Sequence, residues 1–240
     1  MNAFKEIVRP LFAAIVQQED VDAIGRIEQA FSRKGLDLRK RLLCAISALI
    51  VSDQPRHLRF FLEWAFHEYI TPEEIYEVIL QSYLFAGYPA ALEGFFVLRD
   101  VLQDKRMSLG TGEVDYRVQE WRERGLKLCR QIYGNNFDQL QRNIEKISPE
   151  LADWMIVEGY GKVLSRPRLG AVERELCTVA ALTVLGRKRQ LLSHMKGAFN
   201  VGARPLEMKE AILQTSLFAG QLSTLQALGL LQECDSSKSP

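Results

Sequence analysis

Glu175 and His194 are the two residues of this chain whose types and spacing could move a proton. The helical pattern breaks at Gly186-Arg187, with Glu175 eleven residues before the glycine and His194 eight after it. At a rise of about 1.5 Å per residue, the two stand at heights of about 16 and about 12 Å on antiparallel helices. Axes roughly 8–10 Å apart then let the side chains meet directly or through one water. A carboxylate beside an imidazole can bring the ring's titration near neutrality, as a general acid/base requires. The same spacing also suits a buried pair that satisfies only itself. His57 and His67 show neither HxxxH nor HExxH, and Glu63 one turn before His67 does not complete a metal site, so both read as exposed helix residues and no metal is expected. Cys44, Cys129, Cys177 and Cys234 include no CxxC pair and read as reduced thiols.

The elements that must position this pair follow from an internal repeat. ILQSYLFAG at 79–87 recurs as ILQTSLFAG at 212–220, a shift of 133 residues. Without a gap, the same shift carries Arg41 onto Arg174, Cys44 onto Cys177, Leu49 onto Leu182, Pro72 onto Pro205, Leu92 onto Leu225 and Ser32-Arg33 onto Ser165-Arg166. The chain therefore reads as an all-α tandem duplication: a degenerate copy over 1–104, a linker over 105–115, a second copy over 116–234 and a frayed tail over 235–240. Helices are expected over 39–51, 55–68, 72–87 and onward from Pro89, then over 116–133, 171–185, 187–200, 205–219 and 222–233. Thr71-Pro72-Glu73-Glu74 has the form of a capping box, and Gly87 that of a helix stop. Positions shared by the copies are explained by packing. Glu175 and His194 are not shared, because the first copy carries Leu42 and Phe61 there.

The 240 residues carry a net charge of +1, so there is no electrostatic footprint for nucleic acid. Charges interrupt every apolar run before the roughly 18 residues that a membrane span needs. The first residues are too charged for a secretory signal, and with the reduced thiols they point to a cytoplasmic protein. No Gly-rich phosphate loop follows a strand, and no serine-nucleophile motif occurs.

The stretch LSRPRLGAVERELCTVAALTVLGRKRQLLSHMKGAFNVGARPLEMKEAILQTSLFAG (164–220) resembles the carboxymuconolactone decarboxylase family, which includes the alkylhydroperoxidase D proteins. The resemblance extends upstream through GLKLCRQIYG (125–134), and LFAGYPAALEGF (84–95) keeps the family's AG-aromatic-P-A-A-L signature in the first copy. It implies an alkylhydroperoxidase D-like helical fold. In the peroxidase branch a Glu and a His relay protons to a CxxC pair; Glu175 and His194 match the relay, but Arg187 and Gln190 occupy the cysteine positions. That removes both the nucleophile and the resolving thiol, so peroxiredoxin-type activity is disfavoured. Cys177 is no substitute, since its helix reads as buried. The decarboxylase branch implies cofactor-free acid/base chemistry on a small carboxylate or lactone: His194 protonates the carbanion-like centre left by carbon dioxide, and Glu175 orients the ring. Arg174 is a candidate for the substrate carboxylate, although Arg41 at the equivalent position favours a structural role. The second copy reads FAGQLSTLQAL (218–228) in place of the signature, so Tyr88 and Pro89 of the first are expected as a wall against the His194 site, with drift after duplication as the alternative. The resemblance further implies self-association, as a homotrimer imitating a hexamer or as a dimer. A non-catalytic oligomeric binding protein is the remaining alternative.

Overall fold

The computed structural model describes residues 4–15, 21–110 and 116–236, and among them there are helices and no strands. The tail expected over 235–240 and the linker expected over 105–115 fall partly outside these residues. After a π-helix at Phe4–Val8, the first repeat comprises α1 (Arg9–Ile15), α2 (Val21–Phe31), α3 (Leu38–Val51), α4 (Pro55–His67) and α5 (Pro72–Asp104). The second comprises α6 (Val118–Tyr133), α7 (Phe137–Glu145), α8 (Pro149–Trp154) with a π-helix over Met155–Leu164, α9 (Ala171–Leu185), α10 (Lys188–Asn200), α11 (Pro205–Leu213), α12 (Ser216–Ala219) and α13 (Gln221–Ser236). No described helix is long and apolar enough to cross a membrane.

Local chemistry sets the helix ends. Asp37 caps α3 by accepting from the Lys40 amide at 2.9 Å. At the start of α5 the Glu74 carboxylate accepts from the Thr71 amide at 2.8 Å, and Thr71 Oγ1 accepts from the Glu74 amide at 3.3 Å. Arg204 replaces that threonine in the second repeat, yet Glu207 still accepts from the Arg204 amide at 3.0 Å. Gly87 breaks α5 at φ 82° and ψ 172°, and Gly220 stands at its equivalent with φ 79° and ψ 171°. Only glycine enters that region cheaply. The helix expected over 205–219 is instead two pieces. The break falls at Gln214-Thr215, where the Thr215 hydroxyl donates to the Ile212 carbonyl at 2.7 Å and meets Thr224 Oγ1 at 3.1 Å.

The core lies between the repeats, where the equivalent helices α3 and α9 pack together. Both are buried almost all round, which is why neither shows a strong apolar stripe. Ser47 Oγ donates to the Cys177 carbonyl at 2.9 Å across this contact. The polar ties are reciprocal: Arg41 Nη2 meets Glu210 at 2.8 Å, and Arg174 Nη2 meets Glu77 at 2.8 Å. Gln214 donates to the Arg41 carbonyl at 3.2 Å, and Gln81 donates to the Arg174 carbonyl at 3.3 Å. Each tie is the other moved by the 133-residue shift, so the repeats face one another about a pseudo-two-fold axis.

Candidate functional site

The left-handed Gly186 (φ 65°, ψ 25°) ends α9 and turns the chain into α10. This hairpin brings Glu175 and His194 into direct contact, with His194 Nδ1 2.9 Å from Glu175 Oε2. Glu175 is closed off at 2% exposure, whereas the His194 side chain keeps 10%. With Nδ1 donating to the carboxylate, Nε2 is the nitrogen left to act on another molecule.

Three elements roof the pair. The first repeat contributes Phe85, whose ring meets the imidazole edge-on at 5.5 Å and 84°. From α6 come Cys129, Ile132 and Tyr133, all buried, and from the second π-helix comes Tyr160. The hydroxyls of Tyr133 and Tyr160 are hydrogen-bonded to each other. Burial, and then the charge of Glu175, pushes the Tyr133 hydroxyl up; Tyr160 is raised by burial, Tyr133 and Glu175. Burial and Glu175 likewise push the Cys129 thiol up to about 12. These are buried hydrogen-bonding groups that stay protonated around one carboxylate. Gly197 makes the site possible, because a Cβ there would meet Ile132 Cγ2 at 2.6 Å and Glu175 Oε2 at 3.3 Å.

The first repeat shows what this site replaced. Phe61 takes the place of His194, Leu42 that of Glu175 and Trp64 that of Gly197. Phe61 packs on Phe31 at 5.5 Å and on Trp64 at 5.8 Å, and Phe218 of the second repeat meets it edge-on at 5.6 Å and 85°. Phe218 is the equivalent of Phe85, so each repeat lends the other the same ring. One copy closes the space with aromatic packing; the other fills it with a carboxylate, an imidazole and a glycine.

Three sequence-derived candidates take other positions. Arg174 is 2% exposed and held by Glu77, by Gln81 Oε1 at 3.2 Å and by the Arg166 carbonyl at 3.0 Å, so its guanidinium ties the repeats and does not face the pair. Tyr88 and Pro89 are exposed and do not wall His194. The break at Gly87 separates them from the turn that carries Phe85, and Tyr88 stacks on Tyr83 at 5.1 Å and 12°. Tyr133, Tyr160, Phe85 and Gly197 were not singled out by sequence, although the Trp64-to-Gly197 exchange is visible under the same shift. His67 is exposed and His57 half-buried, and no three described His, Cys, Asp or Glu side chains gather as a metal site. Arg187 and Gln190 lie exposed at the start of α10, and all four cysteines are buried and none is in a disulfide. A groove of about 750 Å³ between α5, α6 and the turn over 165–168 is lined by neither Glu175 nor His194.

The model of the carboxymuconolactone decarboxylase family matches this chain twice, over residues 22–100 and 149–233. The chain is 30% identical over 112 residues to 4-carboxymuconolactone decarboxylase of Acinetobacter baylyi, covering 46% of this chain and 84% of that protein. It is 26% identical over 114 residues to nitrosuccinic acid decarboxylase of Metarhizium robertsii, covering 46% and 78%. An uncharacterized 15.0 kDa protein of Paracoccus denitrificans is 34% identical over 93 residues, covering 38% and 69%.

Proposed function

The chain belongs to the carboxymuconolactone decarboxylase family, matched once in each repeat, and from that we propose that it removes carbon dioxide from a small carboxylated lactone or related acid through Glu175 and His194. The observation that carries this reading is the placement of a contacting carboxylate and imidazole where the other repeat has Leu42 and Phe61. Two of the similar proteins are named as decarboxylases, of a lactone acid and of a nitro acid. Such a decarboxylation requires a substrate with a group able to hold an electron pair in conjugation with the carbon that loses its carboxylate.

In the proposed reaction the bond between that carbon and the carboxylate breaks, and carbon dioxide leaves. The electron pair stays with the substrate, spread from that carbon into a conjugated carbonyl or nitro group. Nε2–H of the imidazolium then delivers the proton to carbon, and solvent restores the proton to the ring. Glu175 holds Nδ1, fixes the ring's orientation and opposes the positive charge. Peroxide reduction by a vicinal dithiol is opposed by Arg187 and Gln190 and by the burial of every cysteine.

The test is incubation with a carboxymuconolactone and with nitrosuccinate in D₂O, followed by NMR. Wild type is expected to release carbon dioxide and leave deuterium on the carbon that lost it. His194→Ala is expected to slow turnover by about 10²–10⁴, with its thermal midpoint recorded as a folding control. No release from either acid, or an undiminished rate in a folded His194→Ala, overturns the reading.

A further inference from the structure

The 750 Å³ groove has a counterpart that serves as its control. Under the 133-residue shift, Leu80, Tyr83, Tyr88, Lys162, Val163 and Arg166 correspond to Leu213, Ser216, Gln221, Gln29, Ala30 and Arg33. Those six residues line a second hollow of about 300 Å³ on the other side of the pseudo-dyad. The same architecture is thus built twice. One copy is small, with Ser216, Gln221 and Gln29 among its lining; the other is enlarged and has Tyr83, Tyr88 and Lys162 at those positions.

Three features separate the larger groove from ordinary surface. The first is Arg168, which lines it with φ at 87°. Its equivalent in the first repeat is Gly35, at φ 110°. A turn that needs glycine's freedom has been given an arginine, at a cost in backbone strain. No hydrogen bond or ion pair joins the Arg168 guanidinium to any described residue. The second is aromatic surface: Tyr83 and Tyr88 stack at 5.1 Å, and Tyr76 packs on Phe95 at 4.9 Å. The third is Trp121, which is 9% exposed and whose indole N–H has no hydrogen-bond acceptor among the described residues. Charge singles out the same residue: of the five cationic side chains that line the groove, Arg117 and Arg124 meet Glu120, Lys162 meets Glu158 and Arg166 meets Glu77, which leaves Arg168 as the one without a carboxylate partner among the described residues.

We propose that this groove is a binding site, separate from the Glu175–His194 pair, for a planar aromatic carboxylate. Arg168 takes the carboxylate, and the tyrosines and Trp121 take the ring. A guanidinium matches a carboxylate with two parallel hydrogen bonds. Aromatic faces favour a flat π-system over an aliphatic one. The volume lies within the roughly 300–1,000 Å³ of small-molecule sites. Trp121 begins the stripe of α6 that ends at Tyr133, so at about 1.5 Å per residue the groove and the proton-transfer site are about 18 Å apart along that helix. The inference does not depend on the decarboxylase reading.

The test is calorimetric titration of the full chain with 2-naphthoate. 2-Naphthamide serves as the uncharged control and cyclohexanecarboxylate as the non-aromatic one. Arg168→Gly and Tyr88→Gln each install the residue found at the equivalent position of the other repeat, Gly35 and Gln221. Arg168→Gly also removes the strained conformation, so its thermal midpoint is expected to equal or exceed that of wild type. One molecule of 2-naphthoate is expected to bind, at least tenfold more tightly than either control. Both variants are expected to weaken it at least tenfold, and His194→Ala is expected to leave it unchanged. Absence of binding, equal affinity in Arg168→Gly, or loss in His194→Ala overturns the proposal. So does light scattering in which Tyr88→Gln lowers the assembly mass while 2-naphthoate fails to bind wild type, which makes the groove a contact between copies.

Discussion

At the scale of single residues, the pair and its roof form one buried unit whose parts depend on each other. Removing the imidazole alone strands the Glu175 carboxylate, and removing the carboxylate alone strands Nδ1. A stranded buried polar group costs about 1–3 kcal/mol. Replacing both by the residues of the first repeat, Glu175→Leu with His194→Phe, removes the polar demand and restores a ring against Phe85. Exchanging a buried polar pair for apolar groups of similar volume is commonly neutral or stabilising. Urea denaturation is therefore expected to show each single variant destabilised by about 1–3 kcal/mol and the double variant recovering most of that loss while remaining inactive. A double variant weaker than either single one would mean that the second repeat has lost the shape of the first. Glu175 and His194 were legible in the sequence because the other copy gives them apolar counterparts. Tyr133 was not, since the shift carries it off the start of the chain, and nothing in Tyr160 against Ile27 marks chemistry. The family signature points to Tyr88, yet Phe85 is the ring that meets His194, because the backbone break at Gly87 and not nearness in sequence decides which ring does so.

At the scale of elements, α6 and the second π-helix hold the roof over the pair, and two glycines set their separation. A Cβ on Gly125 would run into the Ile156 carbonyl, and one on Gly161 into the Trp121 carbonyl, so the backbones cross in contact. The π-helix adds its own requirement. Its wider turn is closed by the Ser165 amide donating to the Tyr160 carbonyl at 2.8 Å, five residues back. Gly125→Ala must push α6 away and carry Ile132 and Tyr133 with it. The expected result is a loss of about 1–3 kcal/mol, the usual cost of overpacking, with a weakened near-ultraviolet dichroism from the displaced tyrosines. The same substitution at Gly25, inside α2 where a Cβ meets nothing within 4 Å, is the control and is expected to leave the dichroism in place and to keep or raise stability, since alanine favours a helix over glycine. The sequence reads α6 as an amphipathic helix within two residues of its true start, because that periodicity is local. The π-helix and the glycine crossing depend on which element lies opposite, and periodicity carries no such information.

At the scale of the whole molecule, the gapless shift reveals two copies but not that they face each other. The contact is made by residues common to both, which look like ordinary core until Arg41 is seen on Glu210 and Arg174 on Glu77. A pairing that single-repeat chains would need two molecules to make is made here within one. Its ionic part predicts a direction for acid stability. Burial alone would raise the carboxyls of Glu207 and Glu210. For Glu207 the Arg204 and Lys40 charges outweigh burial and hold it at about 2; for Glu210 the Arg33 and Arg41 guanidiniums outweigh it and hold the carboxyl below its usual range. In the unfolded chain both titrate near 4.3. A carboxyl with a lower pKa folded than unfolded binds fewer protons in the folded state, so stability rises with pH across that interval. The contribution is therefore complete above about pH 5 and drains away as pH falls through the folded values, to about 2 for Glu207. Urea midpoints measured from pH 6 to pH 2.5 are expected to fall throughout the acid limb in wild type. Glu207→Gln cannot titrate, so it is expected to begin lower at pH 6 and fall less steeply, converging on wild type in acid. Parallel curves at the two pH extremes would mean that the Lys40–Glu207 contact between the repeats contributes nothing to holding them together.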